Sequence, residues 1–201
     1  MVMTLTIIFL YINYNVFIMG KNKKKKSNVE ISSMESPLED LYSEDLYIEK
    51  SYSFRVNNNQ ITLFKNSEES YLYILLKVLG YAIYKPFYNY VEIDPPPFRD
   101  KYKADLLVYN NYGDEPIIWG NSLNIDIDKI EYICRHTNIK EITIFKIGED
   151  IEECKNKLKN KIHYKYHDRI VIINFIPEIP QYIDPYDIIV LEDWYERFEL
   201  H

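Results

Sequence analysis

The feature that most restricts the fold is a regular change between β-type and helix-type patterning after about residue 46. The segments "YIEKSYSFRV" and "ITLFK", on either side of "NNNQ", are rich in β-branched and aromatic residues and predict a β-hairpin. Residues 66–84 instead place apolar side chains at helical spacing, and Pro86 ends the pattern. We expect Asn66 to be the N-cap of this helix, with Glu69 at the capping-box position three residues later.

The remaining chain continues the alternation. A proline-rich loop, "EIDPPPFRDK", precedes a second hairpin whose turn is centred on Tyr112–Gly113. Amphipathic helices follow at 127–138 and 150–160, each before a short apolar strand, "EITIFKIG" or "RIVIINFI". The last segment, "YDIIVLEDWYERFEL", predicts two strands about a turn at Glu192–Asp193. This order predicts an α/β fold, a mixed β-sheet flanked by helices on its faces.

The N-terminal region has to be considered separately. Residues 1–18 are almost uninterruptedly apolar and are followed by "GKNKKKK", a pattern that fits a membrane anchor. The other interpretation is that Met19, rather than Met1, is the true start and that the preceding stretch is translated upstream DNA. Residues 19–44 are basic and then polar and acidic, without periodicity, and predict a disordered tail. We therefore expect one folded domain over 45–201.

Charge and cysteine content limit the classes of function. The formal net charge of −7 disfavours attraction of nucleic acid by the protein as a whole. Cys134 and Cys154 form neither a CxxC pair nor a Cys/His ligand pattern, and each falls on an apolar helix stripe. A reducing, cytoplasmic location follows from this usage, with membrane attachment through residues 1–18 as the alternative.

The second hairpin carries the most informative acidic residue. Pairing about its predicted turn places Asp105 opposite Gly120, with Asn121 beside it. A two-carboxylate Mg²⁺ site would need an acid at that place, because Mg²⁺ is held through anionic oxygens. The acid at Glu115 is five residues from Gly120, or about 16 Å at the rise of a strand. The sequence therefore predicts a lone carboxylate.

The order and spacing of these segments resemble the PD-(D/E)xK nuclease-like superfamily, and more closely its YaeQ branch. "EESYLYILLKVLGYAIY" is similar to the first helix of that branch, and "DLLVYNNYGDEPIIWGNS" to its hairpin. "KIHYKYHDRIVIINFIPEIPQYI" and "IIVLEDWYERFEL" look like its C-terminal strands. The resemblance spans about residues 46–200 and implies a restriction-endonuclease-like sheet.

The resemblance also implies where catalytic residues would lie. The helix glutamate of the family would be Glu69 and its first-strand aspartate Asp105. Its second acid falls on Gly120 or Asn121, and neither is acidic. Both retained acids also have structural interpretations: Glu69 as a helix cap, and Asp105 as the partner of a nearby basic residue, namely Arg99, Lys101 or Lys103.

The lysine expected in such nucleases falls on Ser122 or Leu123, and neither can stabilise a phosphoryl transition state as lysine can. The sequence therefore predicts a YaeQ-like, catalytically degenerate nuclease fold that binds a protein or a nucleic acid and needs no cofactor. One alternative is a Mg²⁺-dependent nuclease that combines the two retained acids with Glu92 or Asp94. Another is a membrane-tethered accessory protein.

Basic and aromatic residues alternate between residues 155 and 169, as they do on nucleic-acid surfaces. A solvated helix face explains the lysines equally well. The candidate nucleic-acid contacts are Lys155, Lys159, Lys161, Lys165 and Arg169.

Overall fold

The computed structural model describes residues 49–97, 102–124 and 126–200. The predictions for residues 1–18 and 19–44 lie outside the described residues, as do Arg99 and Lys101. Within the described ranges, no helix is both long enough and apolar enough to cross a membrane.

A β-hairpin opens the described chain, as predicted. Strands β1 (Lys50–Val56) and β2 (Asn59–Lys65) pair antiparallel. Asn57 and Asn58 form the turn with φ angles of 47° and 64°, a left-handed conformation that asparagine adopts more readily than most residues.

Helix α1 (Tyr71–Tyr84) follows, but its N-cap is Ser70 and not the predicted Asn66. The Ser70 side chain accepts a hydrogen bond from the Tyr73 backbone N–H at 3.1 Å. Asn66 instead closes a turn just before the helix, where its N–H donates to Glu69 Oε2 at 2.8 Å and its carbonyl accepts from the Glu69 N–H. Asn66 and Glu69 therefore make reciprocal contacts like those of a capping box, but they do so about one turn before the first residue of α1.

Six strands form the main sheet, in an order that follows the chain. The pairs β5–β6 and β6–β7 are parallel and the other three pairs are antiparallel, which confirms the predicted mixed sheet. The strands are β3 (Val91–Ile93), β4 (Leu106–Tyr109), β5 (Pro116–Ser122), β6 (Glu141–Ile147), β7 (Ile170–Phe175) and β8 (Tyr195–Glu199).

Helices cover both faces of this sheet. Helices α2 (Ile127–His136) and α3 (Ile151–Lys161) connect the parallel strands, and the short α4 (Ile179–Tyr182) follows β7. One apolar cluster joins α1 and the β1–β2 hairpin to the sheet residues that include Phe145. A second cluster joins α2 and α3 to the opposite face around Trp119. The α/β class predicted from the sequence is thus confirmed.

The predicted C-terminal hairpin does not form. β8 pairs with β7, and Glu192–Trp194 is a single 3-10 turn. The preceding segment is held by β1 instead, since the Arg55 N–H donates to the Pro185 carbonyl and the Ile188 N–H donates to the Arg55 carbonyl, both at 2.8 Å.

The β4–β5 pairing corrects the predicted register by one residue. Tyr109 lies opposite Pro116, as the predicted turn requires, but a bulge follows and Leu106 pairs with Gly120. Asp105 is therefore not opposite Gly120, although its N–H donates to the Gly120 carbonyl at 3.0 Å. The cause is an extra residue, Ile117, in the second strand, which has no partner in β4 and whose carbonyl accepts from the Lys140 N–H.

Candidate functional site

A cleft of about 740 Å³ opens where β5 ends, between the first turns of α1 and α2. Such a position is common for ligand sites in open α/β sheets, because strand ends and helix N-termini converge there. Its lining includes Glu69, Tyr73, Asn121, Ser122 and Lys129.

Asp105 lies behind this lining and is buried, with 6% of its surface exposed. Its Oδ2 accepts the Ser122 backbone N–H at 2.5 Å, and its Oδ1 accepts the Tyr73 hydroxyl. Burial raises the pKa of Asp105, although the Tyr73 and Ser122 hydrogen bonds and the nearby Lys77 and Lys129 ammonium groups oppose that rise. The carboxylate that the sequence singled out is therefore held by two donors.

Lys77 supplies a positive charge that the sequence analysis missed. Only 1% of its surface is exposed. Its ammonium group donates to Glu69 Oε1 at 3.0 Å and to the two carboxylate oxygens of Asp94 at 2.9 and 3.1 Å. It also lies 4.2 Å from the centre of the Tyr73 ring. A charge this deeply buried requires such partners, so Lys77 links Glu69 in the lining of the cleft to Asp94 outside it.

The residues at the expected second-acid position have other roles. A Cβ added to Gly120 would lie 2.9 Å from Leu106 Cβ and 2.9 Å from Phe145 Cε2, so the packing leaves no room for a side chain. Asn121 is buried, and its Oδ1 accepts from Lys129 Nζ at 2.9 Å while its Nδ2 donates to the Asn124 carbonyl at 2.6 Å. Asn121 thus holds a cation of the protein itself.

Lys129 reaches the cleft from the first turn of α2. Its Nζ lies 4.7 Å from the centre of the Trp119 ring. Burial lowers the pKa of Lys129, while the negative charges of Asp105 and Asp126 act in the opposite direction. The cleft therefore contains an ammonium group that is only partly hydrated.

Asp94 and Glu92, the additional acids of the nuclease alternative, have different partners. The Asp94 N–H donates to the Asp105 carbonyl at 3.0 Å, and its carboxylate is shared by Lys77 and by Lys103, the latter at 3.4 Å. Glu92 instead accepts the Tyr109 hydroxyl at 3.0 Å. Across the part of the chain that the structure describes, no three His, Cys, Asp or Glu side chains come close enough together to hold a metal ion.

Two further features mark the end of β5. The Ser122 hydroxyl is buried and has no hydrogen-bond partner among the described residues. Leu123, directly after β5, has a φ of 58°, a left-handed conformation that is costly for a branched side chain such as leucine. Asp94, directly after β3, has a φ of 51°. Backbone strain of this kind collects at binding and catalytic sites.

The candidate nucleic-acid contacts differ in exposure and in their partners within the protein. Lys159, Lys161 and Lys165 are exposed. Lys155 pairs with the Glu152 carboxylate at 3.2 Å and lies 5.0 Å from the Phe198 ring centre. The Arg169 guanidinium instead donates to backbone carbonyls at the C-terminal end of α2 and just beyond it, which belong to Cys134, Thr137 and Ile139.

A second polar cluster, not predicted from the sequence, surrounds Glu141 at the start of β6. Its Oε1 accepts the Tyr84 hydroxyl at 2.6 Å and the Thr143 hydroxyl at 2.8 Å, and its Oε2 pairs with Arg197 at 2.8 Å. Burial acts to raise the pKa of Glu141, but these hydrogen bonds and the Arg197 charge together hold it below its usual value.

Comparison with known proteins identifies a shared fold. Neither a protein-family model nor a curated protein sequence matches the chain. The solved structure of the YaeQ protein from Xanthomonas axonopodis pv. citri superposes with a TM-score of 0.52 at 14% identity, over 75% of this chain and 90% of that one. The chain has a YaeQ-like fold. The YaeQ protein from Pseudomonas syringae gives a TM-score of 0.52 at 12% identity, over 74% of this chain and 92% of its own.

These comparisons confirm the YaeQ-like architecture predicted from the sequence. Helix α1, the β4–β5 hairpin and the strands up to β8 supply the element order on which that prediction depended. Assignment to the PD-(D/E)xK superfamily remains a prediction.

Proposed function

We propose that this YaeQ-like domain is a catalytically degenerate relative of the PD-(D/E)xK nucleases and that its cleft binds a ligand without cleaving a phosphodiester. The observation that carries the proposal is the position of Lys77. Its ammonium group bonds to both Glu69 and Asp94, the two acids that would complete a metal site with Asp105.

The charges around the cleft support the same conclusion. Mg²⁺ is recruited by uncompensated anionic oxygens and by substrate phosphates. Around Asp105 and Lys77, three carboxylates are accompanied by three ammonium groups, so little net negative charge remains at that place to hold a divalent ion. The carboxylates belong to Glu69, Asp94 and Asp105, and the ammonium groups to Lys77, Lys103 and Lys129.

The competing function is a Mg²⁺-dependent nuclease that uses Glu69, Asp105 and Asp94. The backbone hydrogen bond between Asp94 and Asp105 favours it, because that bond brings the two residues side by side. For the three acids to share an ion, however, Lys77 would have to leave its present position.

Calorimetric titration with Mn²⁺ distinguishes these functions. We expect the wild-type protein and Asp105→Ala to give the same negligible heat, and neither to cleave labelled DNA or RNA with Mg²⁺ or Mn²⁺. Stoichiometric Mn²⁺ binding and cleavage that both disappear in Asp105→Ala would overturn the proposal.

Lys77→Met serves as the positive control, since it removes the ammonium group and leaves Glu69 and Asp94 available to a cation. We expect this variant to bind Mn²⁺ measurably, while Lys157→Met, a matched change on an exposed face of α3, does not. Thermal melts verify that both variants are folded. The membrane-tethered alternative depends on residues 1–18 and is tested separately by membrane fractionation of the full chain.

A further inference from the structure

We infer that the cleft at the end of β5 binds a small zwitterion of the amino-acid class, with its carboxylate at the floor beside Lys129 and Ser122 and its ammonium group at the rim. This inference rests on the proposed binding function and specifies the ligand for it.

The buried Ser122 hydroxyl points to a polar ligand. Ser122 lines the cleft with 2% of its surface exposed, and its Oγ has no hydrogen-bond partner among the described residues. Leaving a buried hydroxyl unpaired is unfavourable, because the hydroxyl loses its hydration without gaining another hydrogen bond. A ligand with an oxygen at this place would satisfy the hydroxyl, which can both donate and accept.

Lys129 determines the charge of the group that binds at the floor. Its ammonium group lies in the lining of the same cleft, and Asn121 holds it there through a neutral amide oxygen at 2.9 Å. An ammonium group carries three donors. A ligand carboxylate can therefore form a charge-assisted hydrogen bond with Lys129 that the amide cannot replace.

The rim has the opposite charge. Glu49, Glu68 and Asp126 are exposed and line the outer part of the cleft. Three carboxylates in this position repel a polyanion such as nucleic acid and attract a cationic group. A ligand that has one anionic end for the floor and one cationic end for the rim matches both zones.

The size of the cleft is consistent with this class. Its volume of about 740 Å³ falls within the 300–1,000 Å³ typical of small-molecule sites. It can hold an amino acid with several methylene groups between its charged ends, so the separation of the charges becomes an experimental variable.

The test uses three probes of equal chain length: 6-aminohexanoate, hexanoate and hexylamine, titrated into the full chain by calorimetry. We expect 6-aminohexanoate to bind about tenfold more tightly than either singly charged probe, because each charged end contributes. Glycine and γ-aminobutyrate then measure the preferred charge separation.

Four variants in the lining of the cleft and one control variant outside it locate the site. Ser122→Ala and Lys129→Met should each weaken binding of 6-aminohexanoate about tenfold, and Glu68→Gln should weaken it less and in a salt-dependent way. Lys157→Met should leave the affinity unchanged. Lys129→Arg keeps the charge and should restore most of the binding, which separates a binding role of Lys129 from a structural one.

Several results would overturn the inference. These are equal affinity for hexanoate or hexylamine, full affinity in Ser122→Ala, and no binding of any zwitterion at millimolar concentration. The last result, together with the absence of Mn²⁺ binding and of cleavage, would leave the binding function intact for another ligand. Cleavage that depends on Mn²⁺ and Asp105 would instead refute the proposed function itself.

Discussion

The ring of Phe145 lies against the backbone of Gly120 so closely that a Cβ at residue 120 would be 2.9 Å from Phe145 Cε2. The same ring lies against Gly80 of α1, where an added Cβ would be 2.7 Å from Phe145 Cζ. The Phe145 ring therefore fits between β5 and α1 because the residue that faces it on each element, Gly120 or Gly80, has no side chain. This packing also explains why the expected second-acid position holds a glycine.

We expect Gly120→Ala to lower the free energy of unfolding by about 1–3 kcal/mol, because the new methyl group overpacks the core. Urea denaturation measures the loss. Phe145→Leu removes the ring atoms in question, so the double variant should lose less than the sum of the two single variants. If the losses of unfolding free energy in the two single variants are additive, contact with the Phe145 ring does not cause the destabilisation by Gly120→Ala.

Lys77→Met should lower the free energy of unfolding by about 3 kcal/mol, near the lower end for a broken buried ion pair. The lower end applies because the partner side chains, Glu69 and Asp94, are 16% and 27% exposed. The exposed Lys157 provides the comparison, where the same substitution should change stability by no more than about 0.5 kcal/mol. A loss at Lys77 as small as that at Lys157 would contradict the buried ion-pair role.

Asp105→Asn tests the raised pKa of Asp105. Burial raises this pKa in the folded state above the ordinary 3.8, so the folded protein retains a proton that the unfolded chain has released. The stability of the wild type relative to Asp105→Asn should therefore fall as the pH rises above about 3.8. Urea midpoints between pH 3.5 and 7 measure this difference, and a difference that grows with pH would contradict it.

Glu141→Gln should show the opposite dependence. The folded-state pKa of Glu141 is held below the ordinary 4.5, so its charged form stabilises the protein above that pH. We expect the wild type to be more stable than Glu141→Gln by about 1.5–3 kcal/mol at pH 7. This advantage should disappear as the pH falls through the lowered pKa, and the same urea series measures it.

The exposed lysines allow a direct test of nucleic-acid contact. If Lys159, Lys161 and Lys165 contact single-stranded RNA, their joint replacement by glutamine should reduce the log–log salt slope of binding by about 2. Fluorescence anisotropy at several salt concentrations measures the slope. Arg169→Gln should instead destabilise the fold, because it removes donors from the carbonyls at the C-terminal end of α2. An unchanged salt slope in the triple lysine variant would show that these lysines do not contact the RNA.

Local patterning was sufficient to predict most of the fold. The helix period of α1 and the apolar runs of β6 and β7 each depend on neighbouring residues. Both strands form where expected, and α1 ends before Pro86 as expected but has Ser70 instead of Asn66 as its N-cap. The bulge at Ile117 and the missing C-terminal hairpin could not be predicted in the same way. They depend on hydrogen bonds to Lys140, just before β6, and to Arg55 of β1, both of which are distant along the chain.

The site was predictable only in part for the same reason. Asp105 was visible as an acid at the base of a strand, whereas Lys77 resembled an ordinary helix residue. Its partner Asp94 is 17 residues away and the two meet only in the folded chain. A lysine within an otherwise apolar helix stripe is the one signal that could have identified it, because such a charge must be paired when buried.

Each strand of the β3–β8 sheet pairs with the one made just before it. During synthesis the sheet can therefore grow outward from a single edge, without a later strand having to insert between two that are already joined. The outer edge of β7, with its buried Ile170 and Ile172, remains open until β8 emerges. A chain that stalls or is cut before residue 195 would expose that edge to other chains, so intact translation of the C-terminal strand protects this protein from aggregation.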